Sequence, residues 1–216
     1  MDKSQYEILS ELFKYPTFGY HDKVNACMLM LQEKYPEAAK TFLRFSDYIN
    51  SKTLYEVEEV FGFTFHIQAI CFLDIGYVLF GEDYNRGEFL VNMKREQAKI
   101  NHSCGEELAD NLPHVLHLLA KSDDIELVQE LAVRAVTPAV EKMLEEFQQS
   151  RLDLKMKVIK KKQKAIIMED IVDGNIYQNA IQALLFVLQS DFEGVAYGEK
   201  IAAPSLSNFL PKCGTC

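Results

Sequence analysis

Glycine and proline are scarce in this sequence of 216 residues. The chain has 10 Gly and 6 Pro, together about 7% of the residues, whereas these two residues usually make up about 12% of a protein. Sandwiches and barrels of short strands need many turns, and tight turns depend on Gly and Pro. The shortage therefore makes turn-rich β architectures unlikely and favours helices.

Positive charge and the common enzyme patterns are lacking as well. The net charge is −9 and the pI is about 5.1, which disfavours binding to nucleic-acid phosphates because such binding needs clustered Lys and Arg. The sequence has no Gly-rich phosphate loop and no Gly-x-Ser-x-Gly nucleophile turn. We therefore predict a binding protein, not an enzyme, with no cofactor, no metal and a basic or apolar partner.

The longest weakly charged stretch, residues 60–81, contains one formal charge, Asp74. An Asp at the centre of a membrane-spanning helix costs about 2.5–3.5 kcal/mol, so we interpret this stretch as a buried core helix. The five cysteines are scattered, and the first residues do not have the pattern of a secretory leader. The expected location is the cytoplasm.

Apolar residues recur with the helical period along most of the chain. Four features predict where helices begin: a capping box of Ser4 and Glu7, Pro36 at a first helical position, a second capping box of Thr53 and Glu56, and Pro138 at another start. The apolar run at 68–80 predicts a central helix. Further helices are expected at 86–100, 110–120, 124–136 and 138–149. The pattern predicts an all-α, single-domain bundle of about eight to ten helices.

Charge divides the C-terminal part of the chain. Residues 151–164 contain seven basic residues and one acidic residue, a composition typical of a solvated linker or helix end. We therefore predict a helical domain at 1–150, a basic linker or helix extension at 151–175, a C-terminal helix at 176–190 and a flexible tail at 191–216.

Two groups of residues have a spacing that can bind metal. Cys213 and Cys216 form a Cys-x-x-Cys pair, and His114 and His117 lie three residues apart on a predicted helix. Neither group has a second pair of ligands at the spacing of a zinc finger. We expect ordinary side chains in both places, and a helical metal or redox protein that uses His114, His117 and the terminal Cys pair is the alternative.

Several segments resemble one family of proteins. They are residues 12–16 (LFKYP), 57–61 (VEEVF), 64–65 (TF), 77–81 (YVLFG), 86–87 (RG) and 107–113 (ELADNLP). In this order and with these gaps, the segments resemble the assembly chaperones of molybdenum-cofactor nitrate reductases, the NarJ branch of the NarJ/TorD/DmsD group. The likeness extends over roughly residues 6–147. The sequence departs from the family pattern at His66, where the family has Asp, at Ala109, where it has Pro, and at Asn111, where it has His.

The resemblance implies a TorD-like helical fold and a function in assembly. Such a protein would be a cytoplasmic chaperone, a monomer or weak dimer, that is not embedded in the membrane. It would bind the N-terminal segment of the apo catalytic subunit of a DMSO-reductase-type molybdoenzyme and hold it for cofactor insertion. A helical scaffold with an unrelated partner is a further alternative.

The matched segments also suggest which residues bind the peptide: Tyr77, Gly81, Arg86, Asp110 and Pro113. Each has a structural alternative, and for Tyr77 it is an ordinary place in the core. Gly81 can end a helix and Pro113 can begin one, whereas Arg86 can pair with an acidic residue of the turn at 82–83. Asp110 either caps the helix that begins near Pro113 or forms a salt bridge with a basic residue of the peptide.

Overall fold

The computed structural model describes residues 2–66, 69–148 and 176–195, and 74% of these residues are helical. The basic run at 151–164, the tail beyond residue 195 and the terminal Cys pair lie outside the described residues. The prediction of an all-α, single-domain helical bundle is confirmed. The helices are α1 (Ser4–Ser10), α2 (Tyr20–Lys34), α3 (Pro36–Ser51), α4 (Leu54–Phe65), α5 (Ile75–Phe80), α6 (Tyr84–Lys99), α7 (Leu112–Lys121), α8 (Ile125–Leu131), α9 (Thr137–Glu146) and α10 (Tyr177–Asp191).

The signals for helix starts were mostly, but not always, correct. Pro36 begins α3, and Thr53 and Glu56 form the predicted capping box of α4, in which each side chain bonds the backbone of the other residue. The capping box of Ser4 and Glu7 was wrong. Ser4 is already the first residue of α1, and both its amide and its hydroxyl donate to the carboxylate of Asp2.

The predicted central helix at 68–80 was also wrong. Helix α4 ends at Phe65, and α5 begins only at Ile75 and is six residues long. Asp74 is not a helical residue in an apolar run. It is the N-cap residue of α5, in an extended conformation, because its backbone pairs with a distant segment described below.

Helices α8 and α9 belong to one continuous helical run. The prediction placed separate helices at 124–136 and 138–149, but a π-helical segment, Ala132–Val136, joins them. Thr137 donates its amide to the carbonyl of Ala132, five residues back. Pro138 explains this widened turn, because a proline ring clashes with the carbonyl four residues before it and cannot donate a bond.

Helix α10 lies in the same hydrophobic core as the N-terminal helices and packs mainly against α3 and α9. Its first residue, Tyr177, is fully buried among the rings of Phe45, Phe61 and Phe65. Its hydroxyl lies 3.1 Å from that of Tyr20. The two ends of the described chain therefore share one core.

The last residue of α10, Asp191, joins this helix to α1 and to Tyr35, which lies between α2 and α3. One carboxylate oxygen accepts hydrogen bonds from Gln5 Nε2 at 2.6 Å and Tyr6 Oη at 2.7 Å, and the other accepts from Tyr35 Oη at 2.6 Å. Burial and the nearby carboxylate raise the pKa of the Tyr6 hydroxyl. The four side chains are called the Asp191 cluster below.

Across the described part of the chain, no helix combines the length and the apolar character needed to cross a bilayer.

Candidate functional site

The segments that precede α5 and α7 meet side by side. Asp74 and Asn111 form an isolated antiparallel β-bridge. The amide of Ile75 donates to the carbonyl of Asp110 at 2.9 Å, and the amide of Leu112 donates to the carbonyl of Leu73 at 2.9 Å. The first turns of both helices are therefore held together, although some 35 residues separate them along the chain.

Asp110 lies at the centre of this junction and is fully buried. Its Oδ2 accepts a hydrogen bond from the amide of Gly76 at 3.1 Å, in the first turn of α5. The prediction that Asp110 could cap the helix beginning near Pro113 was wrong, because Asn111 is the N-cap residue of α7. Asp110 satisfies an amide in the first turn of α5 instead, where the helix dipole also favours a negative charge.

Gly76 makes this close approach possible. A Cβ atom at this position would lie 2.7 Å from Oδ2 of Asp110 and 2.9 Å from Cδ1 of Phe89. Both distances are well below ordinary van der Waals contact, so a larger residue would push apart the beginning of α5 and its neighbours.

Arg86, in the first turn of α6, lies between two carboxylates. Its Nη2 is 3.5 Å from Oδ2 of Asp74, and its Nε is 3.5 Å from Oδ2 of Asp110. The alternative in which Arg86 pairs with the turn at 82–83 is therefore wrong, since its described ion pairs are with Asp74 and Asp110. Asn111 completes the group by donating from Nδ2 to Oδ1 of Asp74 at 3.2 Å. These four side chains are called the Arg86 cluster below.

The polar pairing in the Arg86 cluster is incomplete. Both contacts of Arg86 are long for hydrogen bonds, and among the described residues Nε of Arg86 and Oδ1 of Asp110 have no hydrogen-bond partner. Burial and then the charge of Asp74 raise the pKa of Asp110, while Arg86 and the amide of Gly76 act against that rise. The cluster thus keeps a buried carboxylate whose charge is only partly compensated.

An aromatic surface adjoins the Arg86 cluster. The guanidinium of Arg86 lies over the ring of Tyr77, 5.2 Å from its centre, and the ring of Phe72 packs edge-on against Tyr77 at 4.8 Å. Phe72 is 44% exposed, and Tyr77 and Arg86 are half-buried. Phe72, Tyr77 and Arg86 are called the aromatic surface below. Exposed aromatic side chains beside an arginine are frequent in protein-binding surfaces.

The five predicted peptide-binding residues occupy different positions around this site. The structure brings Tyr77, Arg86 and Asp110 together. Gly81 ends α5 with a φ of +65° and donates its amide to the carbonyl of Tyr77, as expected of a C-cap glycine. Pro113 is the buried second residue of α7. As peptide contacts all five remain predictions, and the burial of Asp110 and Pro113 means that neither can meet a peptide at the present surface.

Sequence patterns missed part of the site. Phe72 was not singled out, and Asp74 was interpreted as a residue within a core helix. The departure at Asn111 was noted, but its bond to Asp74 could not be foreseen. One signal was available: an acidic residue after the apolar stretch 69–73, just before a short helical pattern, also fits an N-cap position.

A second polar group brings residues of α7 together with residues of the loop that precedes it. His114 and His117 of α7 face His102, whose Nε2 is 2.9 Å from Nδ1 of His114 and whose ring centre is 4.4 Å from that of His117. Cys104 lies close to His102 and His114. Neither His102 nor Cys104 was predicted to take part.

Comparisons with known proteins found no match for the chain, either among family models or among curated proteins. What the protein does is therefore inferred from its residues and their geometry.

Proposed function

We propose that this protein is an assembly chaperone that binds the N-terminal segment of the apo catalytic subunit of a molybdoenzyme of the DMSO-reductase type, with a nitrate reductase-like enzyme as the client. It catalyses no reaction and acts in the cytoplasm, as a monomer or weak dimer. The client segment is held until the molybdenum cofactor has been inserted.

One observation carries this proposal. Two stretches that resemble the chaperone family, 77–81 with 86–87 and 107–113, are distant in the sequence but adjacent in space. Arg86 and Tyr77 come from the first segment and Asp110 comes from the second, and these three meet around the first turns of α5 and α6. Asn111, where the chain departs from the family pattern, joins them through its bond to Asp74. Family-like residues that gather in one place suit a shared binding function better than a general requirement of helix packing.

The chemistry of the aromatic surface suits a peptide with apolar and basic side chains. Phe72 and Tyr77 offer apolar ring area, and large rigid aromatic side chains dominate the energetics of many interfaces. The carboxylate of Asp74 is 27% exposed, and Glu82 and Asp83 in the next turn are exposed. In a protein with a net charge of −9, these groups would attract a leader that contains Arg or Lys.

Asp110 has an indirect role in this proposal. Because its side chain is buried, it positions α5 and Arg86 instead of forming a salt bridge with the peptide. Tyr77 and Arg86 are the contacts expected to meet the client directly.

The proposal is tested by co-purification of the untagged chain with its candidate client, the catalytic subunit of a DMSO-reductase-type molybdoenzyme from the same organism. The subunit is expressed without cofactor, once complete and once without its first 30 or so residues. The complete subunit should retain the chain, and the shortened subunit should not. Equal retention by both, or by neither, would contradict the proposal and favour a helical scaffold with another partner.

A further inference from the structure

We propose that His102, Cys104 and His114 form a binding site for a zinc-type transition-metal ion, with a water molecule or an external ligand in the fourth position. The site is separate from the aromatic surface and does not depend on the proposed chaperone function.

The positions of the ligand atoms support this site. One nitrogen from each ring and the sulfur of Cys104 all lie within 4.8 Å of one another. Bonds of about 2.0–2.1 Å to nitrogen and 2.3 Å to sulfur in a tetrahedron require ligand atoms about 3.3–3.6 Å apart. His102 Nε2 and His114 Nδ1 are already 2.9 Å apart, so a small separation of the two rings would admit the ion.

The type of ligand selects the type of metal. Two imidazoles and one thiolate are a borderline-soft set that suits Zn²⁺ and disfavours Mg²⁺ and Ca²⁺, which prefer oxygen. All three residues are partly exposed, so an ion can reach them from solvent. The site also joins the loop after α6, which supplies His102 and Cys104, to α7, which supplies His114, and an ion would therefore cross-link two elements.

The protonation states in the metal-free chain are compatible with binding. Burial, with a smaller contribution from His102, lowers the pKa of His114 to about 4, so its ring is neutral near pH 7. Burial raises the pKa of the Cys104 thiol, which donates to Oε1 of Gln97 at 3.0 Å. Metal binding releases the proton of the Cys104 thiol to solvent. One of the nitrogens His102 Nε2 and His114 Nδ1 carries a proton in the metal-free chain. That ring changes tautomer when the metal binds, so that its proton lies on its other nitrogen.

His117 is not one of the three ligands. Its ring packs against that of His102, but its nitrogens do not belong to the group whose atoms lie within 4.8 Å of one another. Of His114 and His117, for which the sequence favoured ordinary side chains, only His114 is a ligand of this site, and the other two ligands come from the preceding loop.

The test is a titration of the full chain with Zn²⁺, in a background in which Cys213 and Cys216 are replaced by Ser so that the terminal pair cannot bind the ion. One ion per chain should bind, with release of about one proton, measured by calorimetry in buffers of different ionisation enthalpy. Co²⁺ should give the charge-transfer absorption of a thiolate ligand. Mg²⁺ should not compete.

Variants separate this site from adventitious binding. Cys104→Ser and His102→Gln should each weaken Zn²⁺ binding at least as much as loss of an outer-shell partner does, about 10- to 100-fold. His66→Gln, at an exposed histidine, is the matched control and should bind like the background. Circular dichroism of the metal-free variants checks that they fold. If Cys104→Ser does not fold, His102→Gln alone provides the test. Absence of Zn²⁺ binding, or binding that neither substitution weakens, would overturn the proposal.

Discussion

Asp191 and Asp110 both join helices through a carboxylate, but they are held in different ways. Both oxygens of Asp191 accept hydrogen bonds of 2.6–2.7 Å from Gln5, Tyr6 and Tyr35. Asp110 accepts one bond of 3.1 Å from Gly76 and lies 3.5 Å from Arg86, and its second oxygen has no hydrogen-bond partner among the described residues.

The difference suggests what each cluster is for. A buried carboxylate with both oxygens paired, such as Asp191, fixes one packing of the core, although Oε1 of Gln5 beside it has no hydrogen-bond partner among the described residues. A buried carboxylate that is only partly paired, such as Asp110, is costly and calls for an explanation. The Arg86 cluster adjoins exposed aromatic rings, and the Asp191 cluster closes the N- and C-terminal helices on each other. We therefore propose that the Asp191 cluster stabilises the fold and that the surface beside the Arg86 cluster binds the client.

The largest loss of stability is expected for Asp191→Ala. The substitution removes the acceptor of the fully buried Tyr6 hydroxyl and one of the two acceptors of Gln5 Nε2, which keeps its bond to the carbonyl of Asp2. A buried donor left unpaired costs about 1–3 kcal/mol. Urea unfolding should show a loss of about 2–4 kcal/mol, with unchanged affinity for the client peptide. Asp47→Ala, at an exposed position of α3, is the control and should change stability little. Equal stability of the two variants would remove the contrast between the clusters.

Gly76→Ala should have the next largest effect. The new methyl group would overlap Asp110 and Phe89, and such overpacking costs about 1–3 kcal/mol. Gly62→Ala is the matched control, because Gly62 is also helical and no described atom lies within 4 Å of its added methyl group. Alanine there should stabilise the helix by about 0.5–1 kcal/mol. Both variants are measured by urea unfolding. An unchanged free energy of unfolding for Gly76→Ala would mean that Asp110 and Phe89 can move aside at little cost, which contradicts the expected overpacking.

A smaller effect, visible as a pH dependence, is expected for Asp110→Asn. Since the pKa of Asp110 is raised above its ordinary value of 3.8, the folded state holds this proton more tightly than the unfolded state. The resulting stability is complete below pH 3.8 and is lost as the pH rises through the folded pKa. Asparagine does not titrate, and its carbonyl can still accept from Gly76. The variant should therefore lose less free energy of unfolding than the parent between pH 4 and pH 7.

The same variant sharpens the role of Asp110 in binding. If Asp110→Asn weakened peptide binding and flattened its salt dependence without changing stability at any pH, the direct salt bridge, one of the two alternatives that the sequence left open, would be right. An unchanged affinity agrees with the positioning role that burial indicates.

The features that the sequence predicted correctly depend on residues close together in the chain. The helix at Pro36 and the capping box of Thr53 and Glu56 depend on residues at most three positions apart, and helical periodicity sufficed for the all-α class. Gly81 as a C-cap follows from the same kind of local chemistry.

The errors arose where distant segments or backbone strain decided the structure. Hydropathy alone made residues 68–80 resemble one helix, because the pattern does not reveal that Asp74 pairs its backbone with Asn111. Pro138 was correctly placed near the start of α9, but the π-helical turn that accommodates it depends on the continuation of α8. The family resemblance singled out Tyr77, Arg86 and Asp110 as site residues. Their contacts with one another could be seen only in the folded structure.

The central claim is that the aromatic surface binds the client peptide. It is tested most directly by calorimetric titration of the client's N-terminal peptide into the parent chain, Tyr77→Ala and Phe18→Ala. Phe18 is 96% exposed and precedes α2, so it controls for loss of an exposed ring elsewhere. The parent and Phe18→Ala should bind alike, and Tyr77→Ala should bind about tenfold more weakly or worse, as expected when an aromatic anchor is removed. Equal affinity of all three proteins, or no binding by the parent, would contradict the account.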